Sequence, residues 1–440
     1  MLLSLCALAF AQPTDPGDVQ SFAAALHARG DFIVPDARTS GAPPPAGGAN
    51  KLDVYRSGDL AILKDPDGEW FSEATEHVLT GDINWILDST SGAFLNHFDD
   101  EYDYVTIMMV RDLGFFFAFY SPLSNDVKGI GYDSITPSEQ FDTSNNLLQG
   151  YIFMNYYGLW AEDPEVGRLV FDQEFMHRWG SFVNISAEGP DGTLDENALL
   201  GRDVAHWSYW FNTTNSPMEG NAWLDNSDGT FTVDYTAQAT YSDLDLYLMG
   251  FVGPDDVGPQ TLLLVDDAEQ SAVAREAASA PESFNEAYSA GSGEAITVPA
   301  TRMDFTVDDI IAAEGERIPS VDDSPKTFKM AFLVLVLSDD VLDDAVLADV
   351  DAIRTTFEAD WEADVQGLAD LDTTLGDGDA PTWGDTGEDT AVDSASDTGT
   401  VPTDTEKQGC GCATSSSTAP LALVGLAGLL AVRRRHGGAA

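Results

Sequence analysis

The run Phe171-Asp172-Gln173-Glu174-Phe175-Met176-His177-Arg178-Trp179-Gly180 constrains this chain more than any other stretch of it. Upstream, Asp163-Pro164 supplies an N-cap and a proline at the first helical position, so a helix starts there. Val166, Leu169, Val170, Gln173 and His177 follow at spacings of 3, 1, 3 and 4 and predict one inner face, with 173 and 177 together on it. Two histidines four residues apart on such a face, with a Glu after the first, form the H-E-x-x-H arrangement that holds a metal and activates its water. Here Glu174 and His177 are in place, but Gln173 stands where the first histidine belongs. A neutral amide oxygen is a poor zinc donor beside an imidazole nitrogen.

The surrounding pattern is mixed. Residues 104–110 and 115–119 read as strands around Asp112-Leu113-Gly114, and 147–155 as another that leads directly into the helix. Further on, 306–313 reads as a short helix with Thr306 and Asp309 in capping-box positions and Gly315 as its stop. Residues 328–337 form a nearly continuous apolar run, as a strand buried on both faces would. Val346, Val350, Ile353, Phe357, Trp361 and Val365 mark an amphipathic helix. The fold class expected is α+β.

A second metal ligand has few sources. The chain has 6 histidines, of which His27 precedes a Pro/Gly/Ala-rich segment at 34–48 and His436 is near the end. His77, His97, His177 and His206 remain, and His206, after a Gly- and Asp-containing loop, is the preferred partner of His177, with His97 next. Gly180 falls at the glycine of the extended H-E-x-x-H-x-x-G-x-x-H/D pattern, but Val183 then occupies the third-ligand position and cannot bind metal. Asp203, Glu219 and Asp245 are the alternatives for that role. Met249 reads as a core residue rather than a floor under a metal. Asp225-Asn226-Ser227-Asp228-Gly229 lacks calcium-loop spacing and reads as a hairpin turn. Trp207, Tyr209, Trp210 and Trp223 read as core before cleft lining.

A net charge of -55 sets aside nucleic acid and anionic membrane surfaces as default partners, leaving membrane contact to the C-terminal tail alone. The 3 cysteines are Cys6, Cys410 and Cys412, so residues 12–409 hold no disulfide or cysteine-metal site. Residues 1–11 end in Ala9-Phe10-Ala11, the small-x-small form of a cleaved export signal. Residues 12–50 follow as an N-terminal segment and linker, 51–372 as the folded domain, and 373–409 as an acidic, Thr/Asp/Gly/Ser-rich stalk. The segment 410–440 carries Gly409-Cys410-Gly411-Cys412 at its head, an apolar run at 419–432 and Arg433-Arg434-Arg435. That run spans only about 21 Å as a helix, short of the roughly 30 Å hydrocarbon core.

This last order resembles the C-terminal sorting tail of surface proteins in myxobacteria and their relatives. The resemblance implies cleavage near Cys410 or Cys412 and attachment at the cell surface. The body, from about residue 96 to 372, is similar to a group of secreted zinc-metallopeptidase-like (zincin) proteins of the same bacteria. The matching segments are Asp99-Asp100-Glu101-Tyr102-Asp103-Tyr104, Asn125-Asp126-Val127-Lys128-Gly129-Ile130-Gly131, His206-Trp207-Ser208, Ser216-Pro217-Met218-Glu219-Gly220-Asn221 and Asp243-Leu244-Asp245-Leu246-Tyr247-Leu248-Met249-Gly250. In that group the helix reads His-Glu-x-x-His-Arg-Trp, so Glu174, His177, Arg178 and Trp179 carry over and Gln173 does not. The likeness implies a twisted mixed sheet, the motif helix behind it, a cleft beneath and a mostly helical C-terminal part. It also implies zinc held by His177 and His206, with water or Gln173 in a further position, Glu174 as general base, and a peptide or protein substrate. A pseudopeptidase that only binds a surface ligand, and a stalked structural protein, are the other readings.

Overall fold

The computed structural model describes residues 46–80, 84–112, 118–135, 147–185, 197–201, 204–234, 237–265 and 297–384. After a helical turn at Ala46–Ala49, the chain forms β1 (Asp53–Ser57), β2 (Leu60–Lys64), α1 (Glu69–Thr80), α2 (Asn84–Leu95), β3 (Tyr104–Met109), β4 (Phe119–Pro122) and β5 (Gly150–Tyr156). Next come α3 (Tyr157–Glu162), α4 (Pro164–Met176), β6 (Trp207–Asn212), β7 (Glu219–Asn221), β8 (Trp223–Asp225), β9 (Thr230–Val233) and α5 (Asp243–Met249). The remainder is β10 (Gln260–Leu264), β11 (Thr297–Pro299), β12 (Thr301–Phe305), α6 (Val307–Glu314), β13 (Thr327–Val336), α7 (Asp344–Asp364) and β14 (Asp370–Asp372).

The apolar run expected at 328–337 is β13, the centre of the main sheet. Strand order is β1-β2-β13-β3-β5-β4, with β14 paired to the start of β13. The four inner strands β2, β13, β3 and β5 are parallel neighbours, whereas β1 and β4 run antiparallel at the two edges. A parallel core covered on both faces needs apolar side chains at every position, which is why β13 lacks alternation. Its residues still divide by the strand period of two. Ala331, Leu333 and Leu335 join Ala61, Leu63, Val105 and Ile107 under α1 and α2, where Trp70, Trp85 and Phe94 are buried. Met330, Phe332 and Val334 join Ile62, Tyr104, Met108 and Ile152 on the other face, under α4 and α7. There Phe171 of α4 stacks on Phe357 of α7 at 4.6 Å.

Two smaller sheets, β12-β10-β6-β7 and β11-β9-β8, complete the α+β fold. No helix among the described residues is long and apolar enough to cross a membrane.

Several local expectations change. The packed face of α4 is Gly167, Arg168, Phe171, Asp172 and Phe175, not the face through Val166, which is exposed. The reason is an ion cluster that periodicity cannot see: Arg168 pairs with Asp172 and, far along the chain, with Asp364 of α7. The strand β5 does not lead directly into α4, because α3 intervenes. Of the strand expected at 115–119, only Phe119 falls in β4, which runs on to Pro122, and residues 113–117 lie outside the described residues. The C-terminal part is not mostly helical, since it supplies the central strand β13. Residues 373–384, expected to begin the stalk, belong to the fold. Thr373 is fully buried, Gly376 N donates to Tyr102 Oη at 2.8 Å, and Trp383 packs edge-on against Tyr55 at 5.1 Å. The expected leader, the rest of the stalk and the tail lie outside the described residues.

Candidate functional site at the end of helix α4

The helix starts as its sequence dictates. Asp163 accepts from Val166 N at 3.3 Å and Pro164 occupies the first turn. It ends at His177, whose backbone N donates to Gln173 O at 3.2 Å, and the next turn tightens through Trp179 N to Met176 O at 2.8 Å. Gly180 follows, its N donating to Met176 O at 3.1 Å. Val183, in the third-ligand position of the extended pattern, is buried core.

The chain then passes the segment before β6, where Ser181 N donates to Ala205 O at 3.3 Å. That contact brings His206 to His177. Both side chains are buried, and their rings meet edge to face with centroids 4.8 Å apart. Two imidazoles sharing a tetrahedral zinc at about 2.0–2.1 Å place their ring centres roughly 5 Å apart, so this pair is spaced as such ligands are. Burial pushes the His177 pKa down to about 3, which keeps the ring neutral, the form in which an imidazole binds metal.

The other two motif residues point to different chemistry. Glu174 is 1% exposed. Burial holds its carboxyl well above the usual range, against the opposing effects of the Tyr120 backbone N–H and the Gln173 side chain. One oxygen, Oε2, has no hydrogen-bond partner among the described residues. A raised pKa favours the neutral carboxyl and opposes the ionised form that a general base needs. Gln173 is only partly buried, beside Glu174 in the sequence, and its amide acts to lower the pKa of that carboxyl, against the larger effect of burial.

The remaining ligand candidates differ in their placement. Asp245 accepts from Trp207 Nε1 at 2.8 Å, Ser242 N at 2.8 Å and Ser242 Oγ at 2.7 Å, as the capping residue of α5. Glu219 is buried, with a φ of 74°, at the start of β7, in register with Trp207, the residue after His206. Asp203 lies outside the described residues. His97 pairs with the exposed Asp379 at 2.9 Å, and His77 stacks on Trp85 at 4.7 Å. Among the described residues no three His, Cys, Asp or Glu side chains converge as a metal set. Among the described residues the donors therefore do not make up a zinc site.

Three further readings concern nearby residues. Met249 is buried in the core. The Asp225–Gly229 segment is a hairpin turn in which Ser227 N donates to Asp225 Oδ1 at 2.7 Å. Trp207, Tyr209, Trp210 and Trp223 are all buried. Sequence reasoning gave no role to Tyr120, whose amide acts on Glu174, because nothing in the local pattern of an edge strand says which helix it will meet.

The chain matches no protein-family model, and no curated protein or solved structure matches it significantly.

Proposed function

We propose that this chain is a zincin-like surface protein in which metallopeptidase chemistry has lapsed and the binding of a peptide or protein ligand remains. The observation that carries this is the Gln173–Glu174 pair. The first ligand position holds a neutral amide, and the Glu174 carboxyl in the base position is buried, which pushes its pKa well above the usual range. With an amide in place of the first imidazole, and burial opposing ionisation of the base, both steps of the H-E-x-x-H logic are weakened. The mixed sheet with an antiparallel edge strand beside the motif helix supports the zincin-like reading. Export and surface attachment rest on the segments 1–11 and 410–440; mass spectrometry of the surface form should place its end near Cys410 or Cys412.

The second reading is an active metal-dependent endopeptidase, and the 4.8 Å histidine pair favours it. Elemental analysis of the purified protein decides between them. The binding reading expects well under one zinc per chain and no cleavage of an unfolded protein substrate. Stoichiometric zinc, with cleavage abolished by Glu174→Gln, would establish the enzyme instead.

A further inference from the structure

The last turn of α4 grips the edge strand β4 at two places. Glu174 faces it there, since the Tyr120 backbone N–H acts to lower the pKa of its buried carboxyl. Successive amides of an antiparallel edge strand point alternately toward its neighbour and away from it. Leu123, three residues on, donates inward to Gln149 O at 2.8 Å, so Tyr120 presents its amide on the outer edge, where Glu174 meets it.

The second grip belongs to Arg178. Its Nη1 donates to Ser124 O at 2.8 Å, just beyond β4. Its own carbonyl accepts from Asn125 Nδ2 at 2.7 Å, and Asn125 Oδ1 in turn accepts from Val127 N at 3.1 Å. The guanidinium lies 5.9 Å from the Tyr104 ring centre and 5.8 Å from that of Trp179. Arg178 is 6% exposed, and the Asp126 carboxylate, in the turn after β4, acts on its charge without a salt bridge to it. Its charge is held by carbonyl oxygen and aromatic faces. Tyr120 shares this environment: burial raises its phenol pKa to about 12, with the Arg178 charge opposing. Room for that ring comes from Gly150 of β5, where a Cβ would stand 2.4 Å from Tyr120 Oη.

Resting on the α4 end being the functional site, we propose that Arg178 is its positioning residue, fixing β4 and the turn at 124–127 against the helix so that the Tyr120 amide meets Glu174. A buried arginine without a salt bridge is costly to keep for packing alone. Here every direct contact goes to the strand, the turn after it, or the aromatic rings between them and α4.

Hydrogen exchange on the full chain tests this. In Arg178→Met, which keeps the apolar stem, the Tyr120 amide should exchange at least tenfold faster, while the Leu333 amide in β13 keeps its protection. Arg178→Lys, which retains a cation over Tyr104 and Trp179, should recover part of the loss. Equal loosening at Tyr120 and Leu333 would mean a general stabilising role and overturn the proposal; an unchanged Tyr120 amide would do the same. Should the Met variant fail to fold, the Lys variant carries the same comparison, with Tyr120 loosened selectively or the proposal lost. The wild type's zinc content is read separately, so an active peptidase would change the functional reading without deciding this one.

Discussion

Trp207 donates its indole N–H to Asp245 Oδ1 at 2.8 Å, tying the residue after His206 to the first turn of α5. The carboxylate that completes this tie also caps the helix through Ser242. Asp245 is thus a structural residue, and Asp245→Ala should strand buried donors on Trp207 and Ser242. The expected loss is about 1–3 kcal/mol, read as a lower midpoint in urea. A variant of unchanged stability that loses bound metal would instead make Asp245 a ligand.

The pH dependence of stability should be set partly by two neighbours with opposite signs. His177 has its pKa lowered to about 3, so the unfolded chain binds the extra proton below the usual histidine range near 6.5. Its contribution is present above pH 6.5 and is lost as pH falls toward 3, by up to about 1.4 kcal/mol per pH unit. Glu174 is raised, so its contribution is present below the unfolded carboxyl range and is lost as pH rises through its folded value. His177→Gln should flatten the acid limb of the stability profile. Glu174→Gln should flatten the limb above about pH 4.5. Urea titrations at several pH values would show both, and identical slopes in wild type and variants would contradict the assignment.

What was legible in the sequence was local or fully buried. Thr306 N donates to Asp309 Oδ2 at 2.9 Å, and Gly315 ends α6, because capping chemistry is decided within a turn. The central strand and α7 were legible because a continuous apolar run and a regular stripe each have one structural solution. The packed face of α4 was not, since Arg168 reads as polar until Asp364 arrives from 196 residues away. At the site, the nearness of His177 and His206 followed from the motif and the loop after it. The engagement of Asp245, Tyr120 and Arg178 depends on how strands and helices meet, and no spacing rule encodes that.

The segment before His206 carries backbone strain that can be relieved. Val204 is half exposed with a φ of 58°, a left-handed conformation that a β-branched residue adopts at a cost of about 1–2 kcal/mol. Asparagine tolerates this region far better. Val204→Asn should therefore raise stability by up to roughly 1 kcal/mol. Differential scanning fluorimetry would register the gain, and a lower melting temperature would show that the valine side chain holds the segment in place.

Gln173→His tests how far the site has departed from a working one. The substitution supplies an imidazole four residues before His177, at a position only partly buried, so the larger ring has room to turn. It also removes the amide that acts to lower the pKa of Glu174. With His177 and His206 already 4.8 Å apart, three imidazoles would then be available, as in three-histidine zinc centres. The variant should bind zinc at least 10–100-fold more tightly than the wild type, the range that even lesser changes around a metal produce. A bound cation beside Glu174 would lower its pKa and return it toward the ionised state a general base requires. Competition with a chromogenic chelator measures the affinity, and cleavage of an unfolded protein measures the chemistry. Zinc gained without cleavage would mean that Glu174 stays turned to Tyr120. No gain in zinc would mean that His177 and His206 hold each other too firmly to open for a metal, and would strengthen the binding reading.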